Sequence, residues 1–79
     1  MANDVSEQIL QVFAEVFRNK GLPVPVMTSE TALDGSLGLE SLDFAVVVVR
    51  LEEIFGIDPF ADGVPADVRT VADLARLYQ

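Results

Sequence analysis

The chain has 79 residues, of which 51% are hydrophobic, and its 13 acidic and five basic side chains give a net charge of −8. This length suffices for one small domain but not for a core together with a deep catalytic cleft. The absence of cysteine excludes disulfides and thiolate metal sites, and the negative charge disfavours nucleic acid and favours protein partners with basic surfaces.

The opening residues show no basic segment followed by an apolar one, so no secretory signal is expected. The longest apolar run covers the six residues 44–49, whereas a membrane-spanning helix needs roughly 20. We therefore expect a cytoplasmic monomer with no membrane insertion.

The first predicted element is a helix over about residues 4–20, with Asp4 as its N-cap. Glycine suits a left-handed cap and proline cannot continue a helix, so Gly21 and Pro23 are expected to end it. The apolar residues at helical spacing are Val5, Ile9, Val12, Phe13, Val16 and Phe17.

Residues 21–40 show no sustained apolar period and are rich in Pro, Thr, Ser and Gly, which predicts a long loop. A stretch of this length in a small domain is expected to be ordered and functional. The apolar side chains expected to pin it against the helices are Leu22, Val24, Val26, Leu33 and Leu37.

Residues 41–55 are predicted to form the second main helix. Taken alone, the four consecutive valines 46–49 are typical of a buried strand. However, the segment contains neither Gly nor Pro, and no second strand exists that could pair with this one. Gly56 is expected to end the helix, whose core face is Phe44, Val47, Val48, Leu51 and Phe55.

One or two short helical turns are predicted within residues 59–68, followed by a last helix over 70–78 that starts at a capping box of Thr70 and Asp73. The predicted fold class is all-α: a single domain, 1–79, with three main helices and a long loop between the first two. The expected core is Ile9, Phe13, Val16, Phe17, Phe44, Val48, Leu51, Phe55, Val71 and Leu74.

Ser41 stands between a glycine turn and the second helix. The chain has no histidine, so this hydroxyl lacks the usual general base and no catalytic residue is expected. Two interpretations remain. The serine is either a helix N-cap, which is the commoner role of such a residue, or an attachment point. A helix start favours an anionic phosphate.

The segment Gly38-Leu39-Glu40-Ser41-Leu42-Asp43 resembles the attachment motif of the acyl carrier protein family, most often Asp-Ser-Leu. Residues 51–56 resemble the end of that family's second helix, and residues 70–74 resemble the start of its last helix. The resemblance covers essentially the whole chain. It implies an acyl-carrier-like bundle in which a phosphopantetheinyl transferase attaches 4′-phosphopantetheine from coenzyme A to Ser41.

The same resemblance implies a function. The arm holds an acyl or aminoacyl group as a thioester and presents it to enzymes of fatty acid, polyketide or related biosynthesis. The carrier itself is not an enzyme. The fold alone does not identify the cargo or the pathway.

Two features depart from the family pattern. Glu40 replaces the usual aspartate and is a weaker helix cap. In addition, the outward stripe of the second helix has valines in its middle, where the family mixes apolar and acidic residues. Either these valines are buried against the 21–39 loop, or they form an apolar docking patch with Glu52 and other acids at its rim. The partner-recognition residues expected from the second interpretation are Glu40, Leu42, Asp43, Ala45, Val46, Val49 and Glu53.

Other functions have less support. A helical adaptor would use the same stripe, with Ser41 only as a cap. Residues 58–63 superficially resemble a calcium loop, but Phe60 stands where a ligand oxygen is needed, so no metal site is expected.

Overall fold

A computed structural model describes residues 4–61 and 68–78. Its elements are α1 (Val5–Asn19), a 3₁₀ helix (Gly35–Leu37), α2 (Ser41–Phe55) and α3 (Val71–Arg76), with no strand in these ranges. None of the helices in the described ranges is both long and apolar enough to span a bilayer. The all-α fold class is confirmed, whereas residues 62–67 of the segment 59–68, where one or two short turns are predicted, lie outside the described residues.

Helix α1 places one apolar face against the rest of the molecule. Asp4 caps it by accepting a hydrogen bond from the Ser6 N–H at 2.9 Å. Each fully buried apolar side chain contributes on the order of 1.5–3 kcal/mol to folding, so this face is a major source of stability. Its buried residues are Ile9, Val12, Phe13, Val16 and Phe17.

Helix α2 contains the four valines, because packing of one face outweighs their preference for strands. Val47 and Leu51 are buried, and Phe44 packs edge-on against Phe13 with ring centroids 6.0 Å apart. Val48, which was expected in the core, is only half-buried, and Val47 takes that place. Gly56 follows the helix with a left-handed φ of 73°.

The loop after α1 is ordered by α3. The Val71 N–H donates to the Thr31 carbonyl at 3.2 Å, and the Ala72 N–H donates to the Ser29 carbonyl at 2.8 Å. Ala32 and Thr70 form an isolated antiparallel bridge. The first amides of a helix have no partners within the helix, so the loop supplies acceptors that α3 needs.

The loop is not pinned along its whole length. Leu22, Val24 and Val26 are 40%, 42% and 96% exposed, so the prediction that they pack against the helices is wrong. Pro23 and Pro25 favour an extended backbone and lack N–H donors, which leads this part along the surface. The apolar side chains between α1 and α2 that do pack on the core are Met27, Leu33, Leu37 and Leu39.

Helix α3 completes the core. Its capping box is confirmed: the Asp73 N–H donates to Thr70 Oγ1 at 3.2 Å, and the Thr70 N–H donates to Asp73 Oδ2 at 3.0 Å. The buried residues in the described ranges are Ile9, Val12, Phe13, Val16, Phe17, Leu39, Val47, Leu51, Val71, Leu74, Ala75 and Tyr78. Phe44 and Phe55, also expected in the core, are partly buried against it.

Candidate functional site

The turn before α2 sets the position of Ser41. Gly38 has a φ of 91°, a left-handed conformation that other residues rarely adopt. Leu39 is only 6% exposed and anchors the turn in the core. Glu40 then has an extended backbone and serves as the N-cap of α2. Ser41 is therefore the first residue of the helix, and it is exposed.

The Ser41 hydroxyl does not cap the helix. The N-cap is Glu40, so the interpretation of Ser41 as the N-cap is wrong. The polar contacts of this turn join Asp43 to Glu40 and to Lys20, and in the described ranges they leave the hydroxyl unengaged. Because Ser41 is exposed and its hydroxyl has no capping role, it is accessible for modification.

Asp43 is the centre of the charged contacts beside the serine. Its Oδ2 accepts hydrogen bonds from Lys20 Nζ at 2.7 Å and from the Glu40 N–H at 2.9 Å. These bonds, the one from Lys20 first, lower the pKa of Asp43 below its ordinary value. The same contact raises the pKa of Lys20. Both side chains therefore carry charge at neutral pH, and each has a partner within the chain.

An apolar cleft of about 530 Å³ opens beside Ser41, between α2 and the rest of the bundle. Apart from Ser41, every lining residue in the described ranges is apolar. The cleft can hold an apolar group attached near the serine, because pockets of this size and character bind such groups. The lining residues are Phe13, Leu33, Ser41, Phe44, Ala45, Val47, Val48, Val49, Phe60, Val68 and Leu74.

The outward face of α2 is apolar and exposed. Leu42, Val46 and Val49 are 74%, 46% and 55% exposed, so the interpretation that the valines are buried against the loop is wrong. The physical reason is that loop residues 29–33 pair with α3 and leave this face uncovered. We call this surface the α2 patch. Its residues line a shallow depression of about 320 Å³: Leu42, Ala45, Val46, Val49, Arg50 and Glu53.

Ion pairs within the chain border the α2 patch. Arg50 donates to Glu53 at 3.0 Å and to Glu15 of α1 at 3.1 Å. Of the predicted recognition acids, Asp43 and Glu53 are thus already paired. Glu40 is exposed and forms no ion pair in the described ranges, although its charge acts on Lys20. It is the recognition acid best placed to meet a cation from outside.

Sequence reasoning missed part of this site. Lys20 lies 23 residues before Asp43, and Glu15 lies 35 residues before Arg50, so no local pattern links them. The family resemblance and the many valines allow a cleft between the helices, but the sequence could not show the cavity itself, because it depends on how α2 packs against the bundle. The described residues place no group of three or more metal-ligating side chains together, and residues 62–63 of the calcium-like segment lie outside those ranges.

Comparisons with known proteins cover nearly the whole chain. Residues 7–78 match the family model described as "Phosphopantetheine attachment site". A search of curated proteins gave no match. A similar solved structure is that of MacpD, an acyl carrier protein from Pseudomonas fluorescens involved in mupirocin biosynthesis. It is 41% identical, with a TM-score of 0.80, and the match covers 94% of this chain and 67% of that chain.

Proposed function

Because this chain belongs to the acyl carrier protein family and carries covalently attached 4′-phosphopantetheine, we propose that Ser41 is the attachment residue. The chain is a carrier and not an enzyme. When attached, the arm supplies the thiol that this chain lacks, and its cargo is held there as a thioester. The observation that supports Ser41 most directly is its exposed hydroxyl, free of any capping role, at the cleft.

The surroundings of Ser41 suit a phosphodiester. It is the first residue of a 15-residue helix, where unpaired N–H groups and the macrodipole favour negative charge. Ser36 makes a useful contrast, because its hydroxyl and N–H are both bonded to the Asp34 carboxylate. Ser36 is thus held within its own turn, whereas Ser41 is available.

The cleft supports an acyl cargo over a charged aminoacyl cargo. A charged amine in a cleft lined by valine, leucine and phenylalanine would lose hydration without gaining a partner. The similarity to MacpD, which takes part in mupirocin biosynthesis, favours polyketide-type biosynthesis among the pathways considered. Fatty acid biosynthesis uses the same carrier chemistry and is the second candidate.

The partners are a phosphopantetheinyl transferase and the enzymes that load and process the acyl group, all acting in the cytoplasm. We place their docking site on the α2 patch, because its apolar side chains are exposed beside Ser41. Apolar burial at the centre supplies affinity, and Glu40 at the rim steers partners with basic surfaces. A helical adaptor would use the same surface but would carry no arm.

The intact mass of the protein tests the attachment. The unmodified protein is incubated with coenzyme A, magnesium and a broad-specificity phosphopantetheinyl transferase. The wild type and the Ser36→Ala control are expected to gain one arm, and Ser41→Ala is expected to gain none. No gain in the wild type would support the adaptor, and an equal gain in Ser41→Ala would remove Ser41 from the proposal.

A further inference from the structure

We propose that Lys20 is a positioning residue for the attachment reaction at Ser41. Its ammonium group holds Asp43, and Asp43 in turn holds the first turn of α2 in the geometry that presents the serine hydroxyl. This inference rests on the proposed role of Ser41.

Hydrogen bonds between Glu40 and Asp43 close the short turn that contains Ser41. Asp43 Oδ2 accepts from the N–H of Glu40, the residue before the serine, and from Lys20 Nζ. The Asp43 N–H donates back to the Glu40 carbonyl at 2.9 Å. The side chains of Lys20 and Asp43 are only 32% and 14% exposed, which partly shields their ion pair from water. The turn that contains Ser41 is therefore tied to Lys20 through one carboxylate.

Lys20 is itself well anchored. Its N–H lies 3.1 Å from the Val16 carbonyl and 3.2 Å from the Phe17 carbonyl, and both of these residues are buried. Farther along the same two helices, Arg50 of α2 contacts Glu15 of α1. Ion pairs thus join α2 to Glu15 of α1 and to Lys20, the C-cap residue of α1, and the Lys20 contact is the one beside the serine.

The attachment reaction depends on the orientation of the hydroxyl. The Ser41 oxygen forms a bond to the coenzyme A phosphorus that bears the pantetheine, and the bond from that phosphorus to the bridging oxygen breaks. Adenosine 3′,5′-bisphosphate leaves, and the hydroxyl proton passes to a base outside this histidine-free chain. A frayed first turn lowers the fraction of molecules with a correctly placed hydroxyl, which slows the reaction.

The chain contains a matched control. In α3, Asp73 accepts from the N–H of the N-cap residue Thr70 and also pairs with Arg76, but the Ser41 turn is not involved. Lys20→Met should reduce the initial rate of arm attachment about three- to tenfold. Arg76→Met should leave the rate unchanged, and Lys20→Arg should restore most of it. Circular dichroism checks that each variant is folded.

A double-mutant cycle shows whether Lys20 acts through Asp43. If it does, Lys20→Met slows the wild type but has no further effect in the Asp43→Asn background. If the rate losses of Lys20→Met and Asp43→Asn multiply in the double variant, Lys20 contacts the transferase directly and the proposal is overturned. Amide hydrogen exchange gives a readout independent of the transferase: Lys20→Met should speed exchange at Asp43, whose amide closes this turn, and Arg76→Met should not.

The possible failures can be told apart. If the wild type gains an arm and Lys20→Met gains it at the same rate, the role of Lys20 is disproved and the carrier function stands. If the wild type gains no arm, attachment at Ser41 fails, and the role of Lys20 fails with it.

Discussion

Tyr78 carries a buried hydroxyl with no hydrogen-bond partner among the described residues. The side chain is only 5% exposed, and its ring lies 5.2 Å from that of Phe55 and 6.5 Å from that of Phe60, measured between centroids. Burial, followed by the negative charges of Asp58 and Glu52, raises the pKa of Tyr78 to about 12. The ring packs against two other aromatic rings, so the unfavourable free energy of burying Tyr78 comes from its unpaired hydroxyl oxygen.

We predict that Tyr78 makes the protein sensitive to alkali. The unfolded chain releases the phenol proton near pH 10.0 but the folded chain only near 12, so the contribution of Tyr78 to stability is constant below this range and falls within it. The loss is on the order of 2 kcal/mol. Tyr78→Phe should lack this loss and be about 0–1 kcal/mol more stable at neutral pH. Urea unfolding at several pH values measures both effects, and parallel alkaline losses in the two proteins would contradict the prediction.

Only part of the Ser41 site could be predicted from the sequence. The hydroxyl could be singled out from the sequence because it precedes a long apolar helix in a chain without histidine or cysteine. The predicted bounds 41–55 already made Ser41 the first residue of the helix, but the sequence left open whether its hydroxyl or a neighbouring residue caps that helix. Glu40 is the N-cap because its N–H donates to the Asp43 carboxylate, so the geometry of that side chain, and not the residue type at position 40, determines where the helix begins.

At the scale of elements, apolar spacing was enough to predict the helical fold, even through the valines of α2. Packing of the apolar face stabilises the helix enough to outweigh the preference of its valines for strands. The loop was harder, because the partial burial of Leu33 follows from hydrogen bonds between loop residues 29–33 and the region of the distant helix α3. A single sequence holds no signal for such a pairing.

We predict that a charge introduced into the α2 patch weakens docking of the partner enzyme. Val49→Glu places a charge at the centre of this surface and should reduce acyl transfer from the loaded carrier to its cognate enzyme about tenfold or more. Val49 is 55% exposed, so folding stability should stay within about 0.5 kcal/mol of the wild type. Val26→Glu is the matched control, since Val26 is 96% exposed and lies in the loop after α1. Equal losses in both variants would indicate a general charge effect and contradict the assignment of the patch.

We predict that the start of α3 loses stability at low pH, because it depends on the ionised side chain of Asp73. Hydrogen bonds from the Arg69 and Thr70 N–H groups, with the charge of Arg76, lower the pKa of Asp73 below its ordinary value of 3.8. The folded state binds this proton less readily, so the stability from ionised Asp73 is present above pH 3.8 and is lost as the pH falls through the lower, folded-state value.

Asp73→Asn should therefore be less stable than the wild type at neutral pH, and the difference should shrink in acid. Thermal unfolding at neutral pH and below pH 3.8 measures this. Glu7→Gln, on an exposed position of α1, is the control for removal of one negative charge. A difference between Asp73→Asn and the wild type that is independent of pH would contradict the linkage.

At the scale of the whole molecule, one helix joins the three features of the carrier. Helix α2 begins with the serine, lines the cleft and presents the α2 patch, and Ala45 and Val49 border both. The net charge of −8 favours partners with basic surfaces, although Lys20, Arg50 and Arg76 each neutralise carboxylates within the chain. The sequence was sufficient for the fold class and the carrier function, but the cleft and the ion pairs between distant residues, Lys20 with Asp43 and Arg50 with Glu15, arise only from packing.

The central claim is that the arm is attached to Ser41, and mapping the modified protein by mass spectrometry tests it most directly. Cleavage after glutamate separates residues 31–40, which contain Ser36, from residues 41–52, which contain Ser41. We predict that all of the added mass lies on the 41–52 peptide. Added mass on the 31–40 peptide, or on neither peptide of a modified chain, would contradict the account.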